Sequence, residues 1–122
     1  MKWNKSWKSS IRPRKQRGFV RNAPLHVKSK LMGSHLSKEL KEKNKFRSLR
    51  VKKGDKVKIL RGQFKGKIGA VERVDTKNQK VFITGIEILK KDGSKSLYPL
   101  HHSNLVIIEL NASDKFRLGE KK

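Results

Sequence analysis

The segment from Lys53 to Val74 reads KGDKVKILRGQFKGKIGAVERV. Its first half alternates Val57 and Ile59 with lysines, the period-two pattern of a strand with one buried face and one basic face. Two glycines then punctuate a loop, and a second strand begins near Ile68. Small residues let backbone N–H groups approach phosphates closely, and neighbouring cations supply attractive charge. The segment therefore predicts a β-turn-β unit with a basic, phosphate-facing loop.

The charge of the whole chain indicates a polyanionic partner. The 122 residues carry 33 Lys and Arg against 10 Asp and Glu, a formal net charge of +23. The candidates are nucleic acid, an anionic membrane surface or an acidic protein. Nucleic acid is favoured because no apolar run approaches the roughly 18 to 20 residues that span a bilayer. The chain has no Cys, which excludes disulfides, thiolate-metal sites and cysteine nucleophiles.

Most of the positive charge precedes the predicted strands. Residues 1–53 hold 18 Lys and Arg against 2 acids, whereas residues 54–110 hold 11 against 6. The length fits one compact domain with tails. Residues 1–21 contain no acid and little apolar area, so we expect them to be disordered until bound. The layout predicts a folded anchor with a cationic arm.

Aromatic residues could add base stacking to this charge. Trp3 and Trp7 are interleaved with cations and could stack on unpaired bases, or pack on the barrel or a neighbouring protein. For Phe46 the pattern favours a place in the core. Phe64, inside the glycine loop, could be either a lid over the core or a stacking platform.

Short elements flank the glycine loop on both sides. Asn22-Ala23-Pro24 predicts a helix start that Gly33 would end, and Ser34 could cap a second short helix. After Arg47 the pattern changes to short strands separated by turn clusters at 75–79 and 90–94. The predicted strands are 55–60, 67–74, 80–84, 86–89, 95–98 and 105–109. Closely spaced strands of this kind predict a small barrel or sandwich.

Catalytic and metal chemistry find no support in the pattern. The glycine loop is one residue short of a P-loop, and Ile68 stands where a magnesium-binding Ser or Thr is needed. His101 and His102 are adjacent, and in an extended segment their side chains would point to opposite faces. No nucleophile is paired with a base. We therefore expect no enzymatic activity, no cofactor, no metal site and no small-molecule substrate.

The glycine loop and its surroundings resemble a known family. The Gly-Asp-x-Val-x-Ile…Arg-Gly-x-x-Lys-Gly-x-x-Gly-x-Val string is similar to a KOW motif. The chain as a whole resembles the archaeal/eukaryotic-type large-subunit ribosomal protein of the universal KOW-domain family, number twenty-four in bacterial and twenty-six in eukaryotic naming. The resemblance extends over roughly residues 12–110 through Arg14-Lys-Gln-Arg17, Asn22-Ala-Pro-Leu-His26, Lys30-Leu-Met32, Leu36-Ser-Lys-Glu-Leu40, Arg47-Ser-Leu-Arg50, Tyr98-Pro-Leu-His101 and Ser103-Asn-Leu-Val106.

The resemblance implies a mainly β protein with a small SH3-like barrel. The expected layout is a basic N-terminal arm at 1–21, a short helical segment of two helices at 22–46, the KOW barrel at 47–110 and a polar C-terminal tail, expected to fray, at 111–122. The family implies a structural role in the large ribosomal subunit, with binding to the 5′-proximal rRNA domain and support of assembly near the peptide tunnel exit. The implied partners are large-subunit rRNA and neighbouring ribosomal proteins, with no membrane, and the protein would be a monomer within the cytoplasmic ribosome. The short C-terminal tail favours an archaeal-type member.

The resemblance and the charge pattern together predict an rRNA-binding surface. By family position, Gly54, Asp55 and Gly69 would join the glycines and cations of the loop facing RNA, and the arm would thread between rRNA helices. The hairpin tip at 90–95 would lie at the tunnel rim. The predicted rRNA-binding residues are Arg12, Arg14, Lys15, Arg17, Arg21, Asn22, His26, Lys28, Lys30, Arg47, Arg50, Lys53, Arg61, Gly62, Lys65, Gly66, Lys67 and His101.

Two other functions fit parts of the pattern. A KOW module of a transcription elongation factor that binds polymerase would usually carry a separate α/β domain, for which this chain has no room. A protein that coats nucleic acid without specificity explains the charge but not the glycine loop or the order of helix signals. Protection of one rRNA region, as opposed to uniform binding to any polyanion, would distinguish these alternatives.

Overall fold

The fold is mainly β, a small barrel-like sheet accompanied by short helices, which confirms the predicted fold class. This computed structural model describes residues 3–6, 10–111, 113, 114 and 116–118. Within them no helix is long and apolar enough to cross a membrane. The helices are α1 (Pro13–Asn22), α2 (Leu25–Leu31) and α3 (Lys38–Asn44). The strands are β1 (Gly33–Leu36), β2 (Ser48–Arg50), β3 (Lys56–Ile59), β4 (Ile68–Asp75), β5 (Lys80–Ile83), β6 (Glu87–Leu89), β7 (Lys95–Leu97), β8 (Leu100–His101) and β9 (Leu105–Glu109).

Seven of these strands form one mixed sheet in the order β2-β1-β9-β3-β4-β5-β8. The β1–β9 pair is parallel, with His35 opposite Val106, and the other pairs are antiparallel. Strands β6 and β7 pair separately as a hairpin. All six predicted strands are present with no end shifted by more than one residue, while β1, β2 and β8 were missed.

The prediction that Ser34 caps a helix is wrong. Ser34 lies in β1, is buried, and donates its hydroxyl to the carbonyl of His102 at 2.6 Å. Helix α3 starts three residues later, where the Ser37 side chain accepts from the N–H of Leu40 at 3.4 Å. Residues 33–36, which the sequence predicted to be helical, thus form a strand of the sheet. Ser34 can be buried there because its hydroxyl has a hydrogen-bond partner.

The core fills one face of the alternating strands. Val57 and Ile59 of β3 are buried and the lysines between them are exposed, as the period-two pattern predicted. The fully or almost fully buried core residues are Met32, Leu36, Val51, Val57, Ile59, Phe64, Val71, Val81, Ile83, Ile86, Leu100, Leu105 and Ile107. Phe46 is not among them: its side chain is 42% exposed, so the predicted core position is wrong.

Within the described residues the N-terminal arm contains a helix, α1, where the sequence predicted no secondary structure. Pro13 opens α1, in the first turn where a missing N–H costs no hydrogen bond. Asn22 ends α1 and does not cap the next helix, because α2 begins after Pro24. Helix α2 ends at Leu31 with Met32 as its cap, so that Gly33 opens β1. None of the residues of α1 is buried, which leaves the helix on the surface with its cations facing outward.

Within the described part of the C-terminal tail, Arg117 contacts the sheet, contrary to the prediction that the tail frays. The Arg117 guanidinium pairs with the carboxylate of Asp55, with the two side chains 4% and 0% exposed. The same guanidinium donates to the carbonyl of Arg50 at 2.8 Å and to that of Asn111 at 3.3 Å. This contact spans 62 residues of chain, so no local pattern could indicate it.

Candidate nucleic-acid interface

The loop between β3 and β4, residues 60–67, is held by its own backbone. The N–H of Gly66 donates to Ile59 at 2.8 Å, that of Lys65 to Gly62 at 3.2 Å, and that of Lys67 to Phe64 at 3.1 Å. Gly62 and Gly66 have φ of 97° and 87°, values that favour glycine. These three amides are thus used inside the loop. Contrary to the expectation from the glycines, it is the side chains of the loop, not these N–H groups, that are available to phosphates.

Phe64 anchors this loop in the core. Its side chain is 7% exposed, and its ring lies 5.1 Å from the ring of Tyr98. The Lys67 ammonium sits 5.0 Å from the Phe64 ring centroid, within the range of a cation–π contact. Of the two roles left open for Phe64, the structure places it as a lid over the core. The cations Arg61, Lys65 and Lys67 are therefore presented from a fixed base.

Two residues that the family resemblance assigned to the RNA side of the loop are internal. Asp55 is fully buried and accepts the N–H of Lys52 at 3.0 Å and that of Asn111 at 2.9 Å, in addition to pairing with Arg117. Gly69 lies so close to β5 that a Cβ would be 2.8 Å from the Thr84 carbonyl oxygen. Both residues therefore hold β3 and β4 in place and do not form part of the exposed loop surface.

The N-terminal cations lie on the exposed surface of α1 and α2. Six predicted site residues of the first helix and its start are exposed: Arg12, Arg14, Lys15, Arg17, Arg21 and Asn22. Trp3 packs on Phe19 with ring centroids 5.4 Å apart, which gives that indole a protein partner. Trp7 lies outside the described residues. On α2, His26 and Lys30 are exposed and Lys28 is half-buried.

Helix α2 is connected to the turn between β4 and β5. The Lys28 ammonium donates to the Lys77 carbonyl at 3.3 Å. Together with α1, this contact frames a cleft of about 660 Å³, here called the basic cleft. Its lining includes four predicted site residues, Arg17, Arg21, Lys28 and His101. It also includes three turn residues that the sequence analysis missed as site residues, Lys77, Asn78 and Gln79.

His101 contributes a half-buried imidazole to the basic cleft. Burial, together with the charges of His102 and Lys80, lowers its pKa below the ordinary value of 6.5. Nδ1 of His101 lies 2.7 Å from the Ser103 hydroxyl, and the N–H of Ser103 is directed to the same nitrogen at 3.3 Å. The ring also lies 4.2 Å from that of His102, so the expectation that the two point to opposite faces is wrong. The cause is that the strand ends at His101 and a tight 3-10 turn begins at His102.

The remaining predicted residues lie beside β2. Arg47, Arg50 and Lys53 are exposed. Arg50 and Lys53 line a second groove with Lys52 and Asn111. The structure thus keeps the loop cations together in one loop and brings three helix residues and His101 of β8 into the basic cleft. Gly62 and Gly66 shape the loop and are exposed.

A comparison with protein families places these features in a known group. The family model described as "Ribosomal proteins L26 eukaryotic, L24P archaeal" matches residues 10–120. The match covers the loop at 60–67, the basic cleft, the barrel and the segment that carries Arg117. The chain therefore belongs to this ribosomal protein family.

Proposed function

We propose that this protein binds the 5′-proximal domain of large-subunit rRNA and supports subunit assembly near the peptide tunnel exit. As a member of its family, the protein is a structural constituent of the large subunit in the cytoplasmic ribosome, and the family is structural in character. The rRNA region, the assembly role and the tunnel location are the proposed part. Neighbouring ribosomal proteins are the expected additional partners.

The observation that carries this proposal is that the predicted site cations form no ion pair with any acid among the described residues. The ion pairs among residues 3–6, 10–111, 113, 114 and 116–118 use Lys52, Lys56 and Arg117 as their cations. No predicted site residue takes part in an ion pair within those ranges, and none of them is buried. Exposed charge of one sign repels itself in the free protein and is complemented by phosphates. Release of counterions from the RNA then contributes to affinity.

The two cationic surfaces suit different tasks in assembly. The loop from Arg61 to Lys67 has a fixed backbone and a buried anchor, so it can set the position of the protein on folded RNA. Helix α1 lies on the surface and can adjust to RNA as it compacts. Neutralising close-packed phosphates lowers the repulsion that opposes compaction of the 5′ domain.

Sedimentation with RNA protection tests the proposal. A cell extract is washed with high salt and separated on a sucrose gradient, and the protein is located by antibody. We expect stoichiometric retention in the large-subunit peak and protection of a discrete part of the 5′ domain from hydroxyl radicals. Co-migration with RNA polymerase would support the elongation-factor alternative. Release to the top of the gradient, with uniform protection of any RNA, would support non-specific coating.

A further inference from the structure

We infer that the basic cleft holds one unstacked nucleotide of an RNA single strand, with its phosphate at the cationic rim and its base against the inner wall. The inference rests on the proposed rRNA binding, because it concerns how one nucleotide of that RNA is bound. It adds the β4–β5 turn to the binding surface, through Lys77 and Gln79.

The size of the cleft suits a single nucleotide. Its volume of about 660 Å³ lies within the roughly 300–1,000 Å³ of sites that enclose small organic ligands. Its walls come from α1, α2, the β4–β5 turn and the end of β8. A helical duplex is too wide to enter such a space. RNA is recognised in sequence mainly through unpaired bases that are splayed out and bound individually.

The rim supplies positive charge from α1, from α2 and, through Lys77, from the β4–β5 turn. Arg17 and Arg21 lie one helical turn apart, so their side chains share a face of α1. Lys28 reaches across from α2, where its ammonium is already directed to the Lys77 carbonyl. Guanidinium groups bind phosphate oxygens in a fork, and the lysine ammonium adds a point charge.

The inner wall suits a base better than a carboxylate. Val20 gives it an apolar flank. The side-chain amide nitrogen of Gln79 is buried and has no hydrogen-bond partner among the described residues. The amide torsion is soft, so this donor can turn toward an acceptor on a base edge. A base with a flat face and mixed donors and acceptors satisfies such a wall, whereas an acidic peptide would use only the cationic rim.

The experiment follows the Gln79 side-chain amide signals of ¹⁵N-labelled full-length protein by NMR. Penta-uridylate, r(U)5, is titrated first, and an abasic ribose-phosphate pentamer with the same phosphates second. We expect r(U)5 to shift the Gln79 amide signals to saturation and to bind about tenfold more tightly than the abasic chain, because base stacking and base contacts are lost in the latter. Gln79 amide signals that do not move at saturating r(U)5, or equal affinity for both pentamers, would overturn the inference.

Variants separate the base contact from the charge contacts. Gln79→Asn keeps an amide and suits the left-handed backbone at this residue, where φ is 55°. We expect it to weaken r(U)5 binding several-fold and to leave the abasic chain unaffected. Lys28→Gln with Lys77→Gln should weaken both pentamers and lower the salt slope by about 0.7 for each phosphate contact removed. The matched control Lys38→Gln with Lys43→Gln makes the same charge change on exposed positions of α3 and should do neither.

Two further measurements distinguish a failure of the cleft inference from a failure of the proposed function. Filter binding of the wild-type protein to a 5′-domain rRNA transcript measures the proposed function directly. Specific binding of the transcript with unmoved Gln79 signals would overturn the cleft inference and leave the proposed function intact, whereas no binding of either RNA would overturn both. Hexaglutamate is the last probe: if it shifts the Gln79 signals as strongly as r(U)5, the cleft binds acidic protein and the inference is wrong.

Discussion

The β3–β4 loop and the basic cleft both present cations, but they are held in different ways. The loop rests on buried groups: Phe64 fills the core beneath it, and the Asp55–Arg117 pair lies at the start of its strand. The cleft is held by a surface contact, the hydrogen bond from the Lys28 ammonium to the Lys77 carbonyl. Buried contacts resist deformation because cores are close-packed, whereas surface contacts exchange readily with water. The comparison indicates one rigid and one adaptable cationic surface on the same small protein.

Removing the buried cation should have the largest effect on stability. Arg117→Ala leaves the fully buried Asp55 carboxylate without its partner, and breaking such a pair costs about 3–5 kcal/mol. Urea unfolding of the variant and the wild type measures the difference. Lys52→Ala is the control, because it removes the exposed pair with Asp114 and should leave stability unchanged. A similar small loss for both variants would show that the C-terminal contact does not anchor β3.

The two phenylalanines offer the next test. Phe64→Ala empties a buried site and should lower the free energy of unfolding by about 3 kcal/mol. Phe46→Ala changes a side chain that is 42% exposed and should cost less than about 0.5 kcal/mol. Thermal or urea denaturation compares them directly. If Phe46→Ala proved the more damaging substitution, the assignment of Phe64 as the anchor of the loop would be wrong.

Charge removal tests whether both surfaces contact RNA. Replacing Arg61, Lys65 and Lys67 with Ala should weaken binding to the 5′-domain transcript and reduce the salt slope by about 2, at roughly 0.7–0.9 per lost phosphate contact. The triple change at Arg14, Lys15 and Arg17 should reduce the slope by a similar amount. Binding measured from low to high salt gives both values.

The control for these variants is the replacement of Lys38, Lys41 and Lys43 with Ala. This triple change on α3 removes the same charge from a helix outside the predicted surface, and its slope should stay close to that of the wild type. An unchanged slope in either test variant would remove that surface from the interface.

The sequence predicted the parts of the fold that local pattern controls. Strands β3, β4 and β9 were placed correctly because alternating apolar residues report one buried face. Strand β1 was missed because Ser34 is a residue type that favours helix caps. In the structure its hydroxyl instead donates to the His102 carbonyl, 68 residues away. The loop cations were likewise visible in the glycine pattern. The basic cleft was not, because only the folded chain brings Gln79 beside α1.

Two turns with the same internal contact provide the smallest and most local test. In the β4–β5 turn, hydrogen bonds from the Asn78 side chain and N–H lower the pKa of Asp75, and in the β6–β7 hairpin those from Ser94 lower the pKa of Asp92. Asn78→Ala removes the largest of the Asp75 contacts, so the Asp75 pKa should rise toward its ordinary value while that of Asp92 stays low. Carboxyl ¹³C titration by NMR measures both in one experiment.

The sign of the associated pH effect follows from the depressed pKa. A carboxyl whose pKa is lower in the folded state stabilises the fold above its unfolded pKa of 3.8, and this contribution is lost as the pH falls through the folded value. Asp92 is exposed and Asp75 is only partly covered, so the change in stability should be small and confined to acid pH. If Asn78→Ala also raised the Asp92 pKa toward its ordinary value, the two turns would be coupled.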